Sequence, residues 1–171
     1  MAKNVIWTVV FSFVAAVLQS TLLRRLALFR AVPDLALCIV VYSAYVNGVM
    51  TGQLSGFFSG ILIDFISAAP LGLNPLIRTL AGALAGFMKG TFFLGAVFLP
   101  MVLCAAATLL KAAVLFVLHL LFGGAVPSYS LVSPLLWAEL CLNTFLAPFL
   151  FFLLKRFMPL LSGQRTYDAA S

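Results

Sequence analysis

Two rows of residues at four-residue spacing constrain this chain more than any other feature, because each row joins glycines to a charge. The first is Gly52, Gly56, Gly60, Asp64; the second is Arg78, Gly82, Gly86, Gly90. A four-residue step keeps side chains on one face of a helix, so each row predicts a helix with a bare stripe along it. Between them stands a turn segment, Pro70-Leu71-Gly72-Leu73-Asn74-Pro75. Folded back as an antiparallel pair, the helices would approach along their glycines and bring Asp64 and Arg78 to the same end. Small residues and paired polar groups are how helices associate within lipid, where apolar burial supplies little drive. The expectation is a tight hairpin carrying an Asp64–Arg78 ion pair.

The rest of the chain supports that setting. Of 171 residues, 64% are hydrophobic and 8% charged, against about 25% charged in an ordinary soluble domain. Too little polar surface is available to cover a soluble fold. A membrane β-barrel needs period-two alternation, and the long continuous apolar runs exclude it. The fold class is an all-α integral membrane protein of about six transmembrane helices, at about 20 residues each. They are expected over residues 4–23, 34–50, 52–69, 73–90, 99–122 and 135–157, with helix starts marked by Pro33-Asp34, Pro100 and Pro134. Residues 1–161 form one membrane domain and 162–171 a polar tail. The first apolar run is too long for a signal-peptide core and lacks a small-residue cleavage site, so it stays as an anchor.

Six spans place both termini on one side. With the termini inside, Lys3, Lys89, Lys155, Arg156 and Arg165 face the cytoplasm, and Arg24, Arg25, Arg30 and Arg78 face outward. The bias is slight but favours cytoplasmic termini. The net charge of +6 is scattered over helix ends. It reads as topology marking and contact with anionic lipid, not as a nucleic-acid surface.

Few polar residues are left to carry chemistry. Asp64 within a span needs a partner or water, and Arg78 is its natural mate. A second set is Lys111, His119, Glu139 and Asn143; on antiparallel fifth and sixth spans, Lys111 and Glu139 reach similar depths and form a possible polar pair. His119 has no second ligand at helical spacing and reads as a helix-end residue. Cys38, Cys104 and Cys141 read as small hydrophobes in helix interfaces. Phe57, Phe58, Phe92, Phe93, Phe149, Phe151 and Phe152 read as lipid-facing or packing groups, with Trp7, Trp137, Tyr129 and Tyr167 nearer the interfaces. No nucleotide loop, zinc motif or nucleophile–histidine–carboxylate constellation is present. The expectation is a non-enzyme with no cofactor and no metal.

The middle of the chain resembles a known family. Pro33-Asp34 opens a span, Gly56-Phe57-Phe58-Ser59-Gly60 precedes Asp64, and Pro70-Leu71-Gly72-Leu73-Asn74-Pro75 leads into Leu80-Ala81-Gly82-Ala83-Leu84-Ala85-Gly86. Together these resemble MreD, the rod shape-determining membrane protein of bacteria. The resemblance implies a multi-pass protein of the bacterial cytoplasmic membrane and a non-enzymatic scaffold of the elongation complex. It implies binding to MreC, a single-span protein with a periplasmic domain, and a part in coupling MreB filaments to peptidoglycan synthesis. It also implies a likeness in fold to the six-helix substrate-binding components of energy-coupling vitamin transporters. Pro33, Asp34, Gly56, Gly60, Asp64, Gly72, Leu73 and Asn74 are the positions that match the family pattern. Arg78, Gly82 and Gly86 join them as structural or interaction residues. The small-residue faces would also serve to dock a partner's transmembrane helix, in competition with the hairpin. The rival reading is a small-molecule-binding component of such a transporter, with a pocket near Lys111, Glu139 and Asn143.

Overall fold

A computed structural model describes residues 1–21, 32–67, 70–90, 97–126, 133–157 and 161. Among the described residues six α-helices of 13 residues or more follow one another: α1 (Ala2–Thr21), α2 (Leu35–Asn47), α3 (Val49–Ile66), α4 (Leu73–Phe87), α5 (Phe98–Phe122) and α6 (Pro134–Arg156), with a short 3-10 turn, Gly123–Ala125, after α5. All six expected helices form, and no strand occurs among the described residues. Their starts follow local chemistry: Asp34 caps α2, Pro100 falls in the first turn of α5, and Ser133 caps α6 with Pro134 at its first position. Proline suits a first turn because its missing N–H would have no intrahelical partner there.

α1, α3, α5 and α6 are each long and apolar enough to cross a membrane. α2 and α4, with 13 and 15 residues, rise about 20 and 22 Å, short of the roughly 30 Å hydrocarbon core. α2 tolerates this because it is the centre of the molecule. Every residue from Ala36 to Ala44 is buried, and α2 packs on α1, α3, α4, α5 and α6. A helix wrapped by protein need not match the lipid thickness; it needs its terminal backbone groups satisfied. At its start, Asp34 N donates to Asn143 Oδ1 at 2.8 Å, Leu35 N to Gln19 Oε1 at 3.2 Å, and Leu37 N to Asp34 Oδ1 at 3.0 Å.

α1 is held to α2 by a polar seam. Asn4 Nδ2 donates to Asn47 Oδ1 at 2.8 Å, and the Thr8 and Ser43 hydroxyls lie 2.6 Å apart. Both pairs sit on four-residue steps, Asn4 to Thr8 and Ser43 to Asn47. The outer belt is apolar: Phe57, Phe58, Phe149 and Phe152 are exposed, as lipid-facing residues should be. Phe151 instead turns inward, its ring 4.9 Å from that of Tyr42 in an edge contact. Cys38 and Cys104 are buried, whereas Cys141 lies on the exposed face of α6 and fills no interface. Phe92, Phe93, Tyr129, Tyr167 and the tail 162–171 lie outside the described residues.

Candidate functional site: a buried ion cluster joining four helices

The α3–α4 hairpin is as tight as its glycines allow. A methyl group added at Gly52 would strike the Gly82 carbonyl, one at Gly56 the Arg78 carbonyl, and one at Gly60 the Pro75 backbone. Gly82 and Gly86 face Gly52 and Val49 in the same way. Gly56, Gly60, Gly82 and Gly86 are therefore consumed inside the hairpin, which corrects the expectation that they also offer a groove to a partner. Gly90 leaves the row: α4 ends at Phe87, and Gly90 stands in the following turn at φ +75°.

The same register separates Asp64 from Arg78. Gly56 lies level with Arg78, and Asp64 is eight residues further along α3, about 12 Å at the helical rise. The expected Asp64–Arg78 pair does not form. Asp64 instead reaches the open end of α4, accepting from Gly72 N at 2.6 Å, Asn74 N at 3.3 Å and Asn74 Nδ2 at 2.7 Å. A carboxylate from the neighbouring helix thus supplies the cap that Gly72 lacks, at the end where the helix dipole favours negative charge. Gly72 holds the turn at φ +94°, a left-handed conformation that only glycine adopts without strain. Leu73 begins α4 and packs beside the Ile77–Leu115 cluster.

Arg78 points the other way, toward α2. Its Nη2 donates to Asp34 Oδ1 at 2.9 Å, and Lys111 Nζ donates to Asp34 Oδ2 at 3.1 Å. Lys111 Nζ also meets Glu139 Oε1 at 2.6 Å. The order Arg78–Asp34–Lys111–Glu139 alternates in sign and sums to zero formal charge. Cancellation matters here, since a lone charge inside a bilayer costs from about 2.5 to over 10 kcal/mol. Asn143, fully buried, extends the cluster: its Oδ1 takes the Asp34 amide and its Nδ2 donates to Thr108 Oγ1 at 2.9 Å. One network joins α2, α4, α5 and α6, and Gln19 ties α1 to the same helix start.

Lys111 and Glu139 were legible from depth matching; the part of Asp34 was not. Pro33-Asp34 marked a helix start, and that reading hides a second role, because a capping carboxylate keeps lone pairs free for cations. His119 stands apart from the cluster and closes the end of α5, its Nδ1 2.9 Å from the Val126 carbonyl oxygen.

Beside the cluster a cleft of about 560 Å³ opens between the ends of α1 and α3 and the starts of α2 and α4. Asp34, Arg78 and Lys111 form its charged wall, with Gln19, Ser20, Ser67 and Asn74 around them. Among the described residues, no group of histidine, cysteine and carboxylate side chains is placed to hold a metal ion.

The family model for rod shape-determining protein MreD matches residues 1–157. The chain belongs to the MreD family. This MreD-family protein is accordingly a multi-pass membrane component of the rod shape-determining system. No curated protein and no solved structure matches the chain.

Proposed function

We propose that this protein is a non-enzymatic scaffold of the elongation complex in the bacterial cytoplasmic membrane. In this reading it binds the single transmembrane helix of MreC and helps couple MreB filaments to peptidoglycan synthesis. Family membership supports the role, and the fate of the polar residues supports the mechanism. Asp34, Arg78, Lys111, Glu139 and Asp64 are engaged in ties between helices, an arrangement suited to holding a rigid surface.

The observation that carries the docking surface is an apolar groove of about 580 Å³ between α1 and α3, lined by Val5, Ile6, Val9, Leu54, Phe58 and Ile61 among others. It lies on the face of α3 opposite the glycines, where a partner helix can pack without opening the hairpin. Within lipid such packing rests on shape and close contact. The test is co-purification of MreC with Val9→Trp and Leu54→Trp, alongside rescue of rod shape in cells depleted of the native protein. Loss of MreC from folded variants, with rounded cells, supports the reading. Undiminished capture with both variants removes this groove, and normal rods after depletion remove the scaffold role.

The same reading puts both termini in the cytoplasm. Arg78 is buried in the cluster and marks no loop, leaving Lys3, Lys89, Lys155, Arg156 and Arg165 against Arg24, Arg25 and Arg30. The positive-inside bias is stronger for that subtraction.

A further inference from the structure

The cluster satisfies its acids more fully than its arginine. Asp34 Oδ1 accepts from both Leu37 N and Arg78 Nη2, and Oδ2 accepts from Lys111. Arg78, with 4% of its side chain exposed, spends one terminal nitrogen on Asp34, while its Nε and Nη1 have no hydrogen-bond partner among the described residues. A guanidinium cannot shed its charge, and unpaired buried donors are costly, more so when charged. The Ser67 hydroxyl is also buried without a partner among the described residues. Arg78 and Ser67 line the same cleft, whereas two other buried hydroxyls without a partner among the described residues, Ser12 and Thr79, lie away from it. The starts of α2 and α4 border it too, each already capped by a carboxylate, Asp34 and Asp64, so the spare donors are those of Arg78 and Ser67.

We propose that this cleft binds a phosphate group, with Arg78 and Ser67 as its donors and Lys111 at its edge. The phosphate would arrive on an anionic lipid headgroup or as a free phosphate. Ala16, Val32, Ile63 and Ile66 on the same lining give room for an apolar stem beside it. A guanidinium presents donors to phosphate oxygens in a matching geometry. Such a ligand would satisfy the donors left over by Asp34. The inference does not rest on the MreC-binding reading.

The test uses full-length protein in a neutral maltoside detergent, with native mass spectrometry and the apparent unfolding temperature as readouts. Phosphatidylglycerol, diacylglycerol and inorganic phosphate are titrated separately. Three variants accompany the wild type: Ala16→Trp fills the cleft without touching a charge, Arg78→Lys keeps the cation but removes the spare donors, and Ser67→Ala removes only a hydroxyl. Expected is retention of one phosphatidylglycerol per protein and none of diacylglycerol, with at least tenfold weaker retention in whichever of Ala16→Trp and Arg78→Lys is folded and a smaller loss in Ser67→Ala. A rise in unfolding temperature with inorganic phosphate alone, abolished by Ala16→Trp, would identify the free ion as the source. Equal retention of phosphatidylglycerol and diacylglycerol without a phosphate response would overturn the proposal. So would wild-type binding by all the folded variants.

Discussion

Asp34 does two things with one carboxylate. It closes the first turn of α2 and also pairs with two cations on other helices. Removing its charge while Arg78 and Lys111 stay buried leaves one positive charge uncompensated. Losing one partner of a buried pair costs about 3–5 kcal/mol. Asp34→Asn should lower stability by that order, and Asp34→Asn with Arg78→Gln, which restores neutrality, should recover part of the loss. Thermal or denaturant unfolding of the four proteins of this cycle measures the coupling; a double variant as damaged as the sum of the singles would contradict the pairing. Asp64 belongs to a different local problem. Asp64→Asn keeps two acceptor lone pairs but loses the charge facing the α4 start, a loss of about 0.5–2 kcal/mol, the range for a helix cap. Exchanging the charges of Asp64 and Arg78 should rescue nothing, since the two side chains serve separate sites.

At the level of elements, the α3–α4 hairpin shows why backbone contact is so sensitive to small changes. Gly56 faces a carbonyl and a peptide carbon, neither of which can swing aside as a side chain can. Gly56→Ala should therefore force the helices apart and cost about 1–3 kcal/mol, the range for overpacking, with Gly56→Leu more severe. Gly90 has open space around it and a left-handed backbone. Gly90→Ala should cost only the roughly 1–2 kcal/mol of that conformation and leave the hairpin closed. Spin labels at Leu54 and Leu84, on the outer faces of the two helices, would report the separation. Equal spacing in Gly56→Leu and wild type would refute the wedge. α2 offers the contrast of a helix too short for lipid that is stable because its first amides bond to Asn143, Gln19 and Asp34.

For the whole molecule, burial separates otherwise similar residues. Cys38 and Cys104 lie at 2% and 1% exposure, and Cys141 is exposed on α6. A maleimide small enough to enter detergent should label Cys141 quickly in the folded protein and reach the other two only on unfolding. Mass spectrometry of labelled peptides gives the order, and early labelling of Cys38 would contradict the central position of α2. The same arrangement explains the polar network. Charges from four helices meet around the start of the buried helix, the position from which one carboxylate touches several neighbours.

Hydropathy and spacing alone determined the membrane class, the six helices, the glycine faces of α3 and α4, and the level at which Lys111 meets Glu139. These follow from local periodicity and from antiparallel neighbours joined by short turns. The partner of Arg78 was decided only by tertiary structure. Asp34 is 44 residues away, and Asp64 is closer in sequence with equally suitable chemistry. The choice between them came from the glycine contacts, which set the hairpin register and hold Asp64 two turns away while the Arg78 side chain points to α2. Which helix would be central was likewise decided by packing, because an apolar helix facing lipid and one facing protein read alike in sequence.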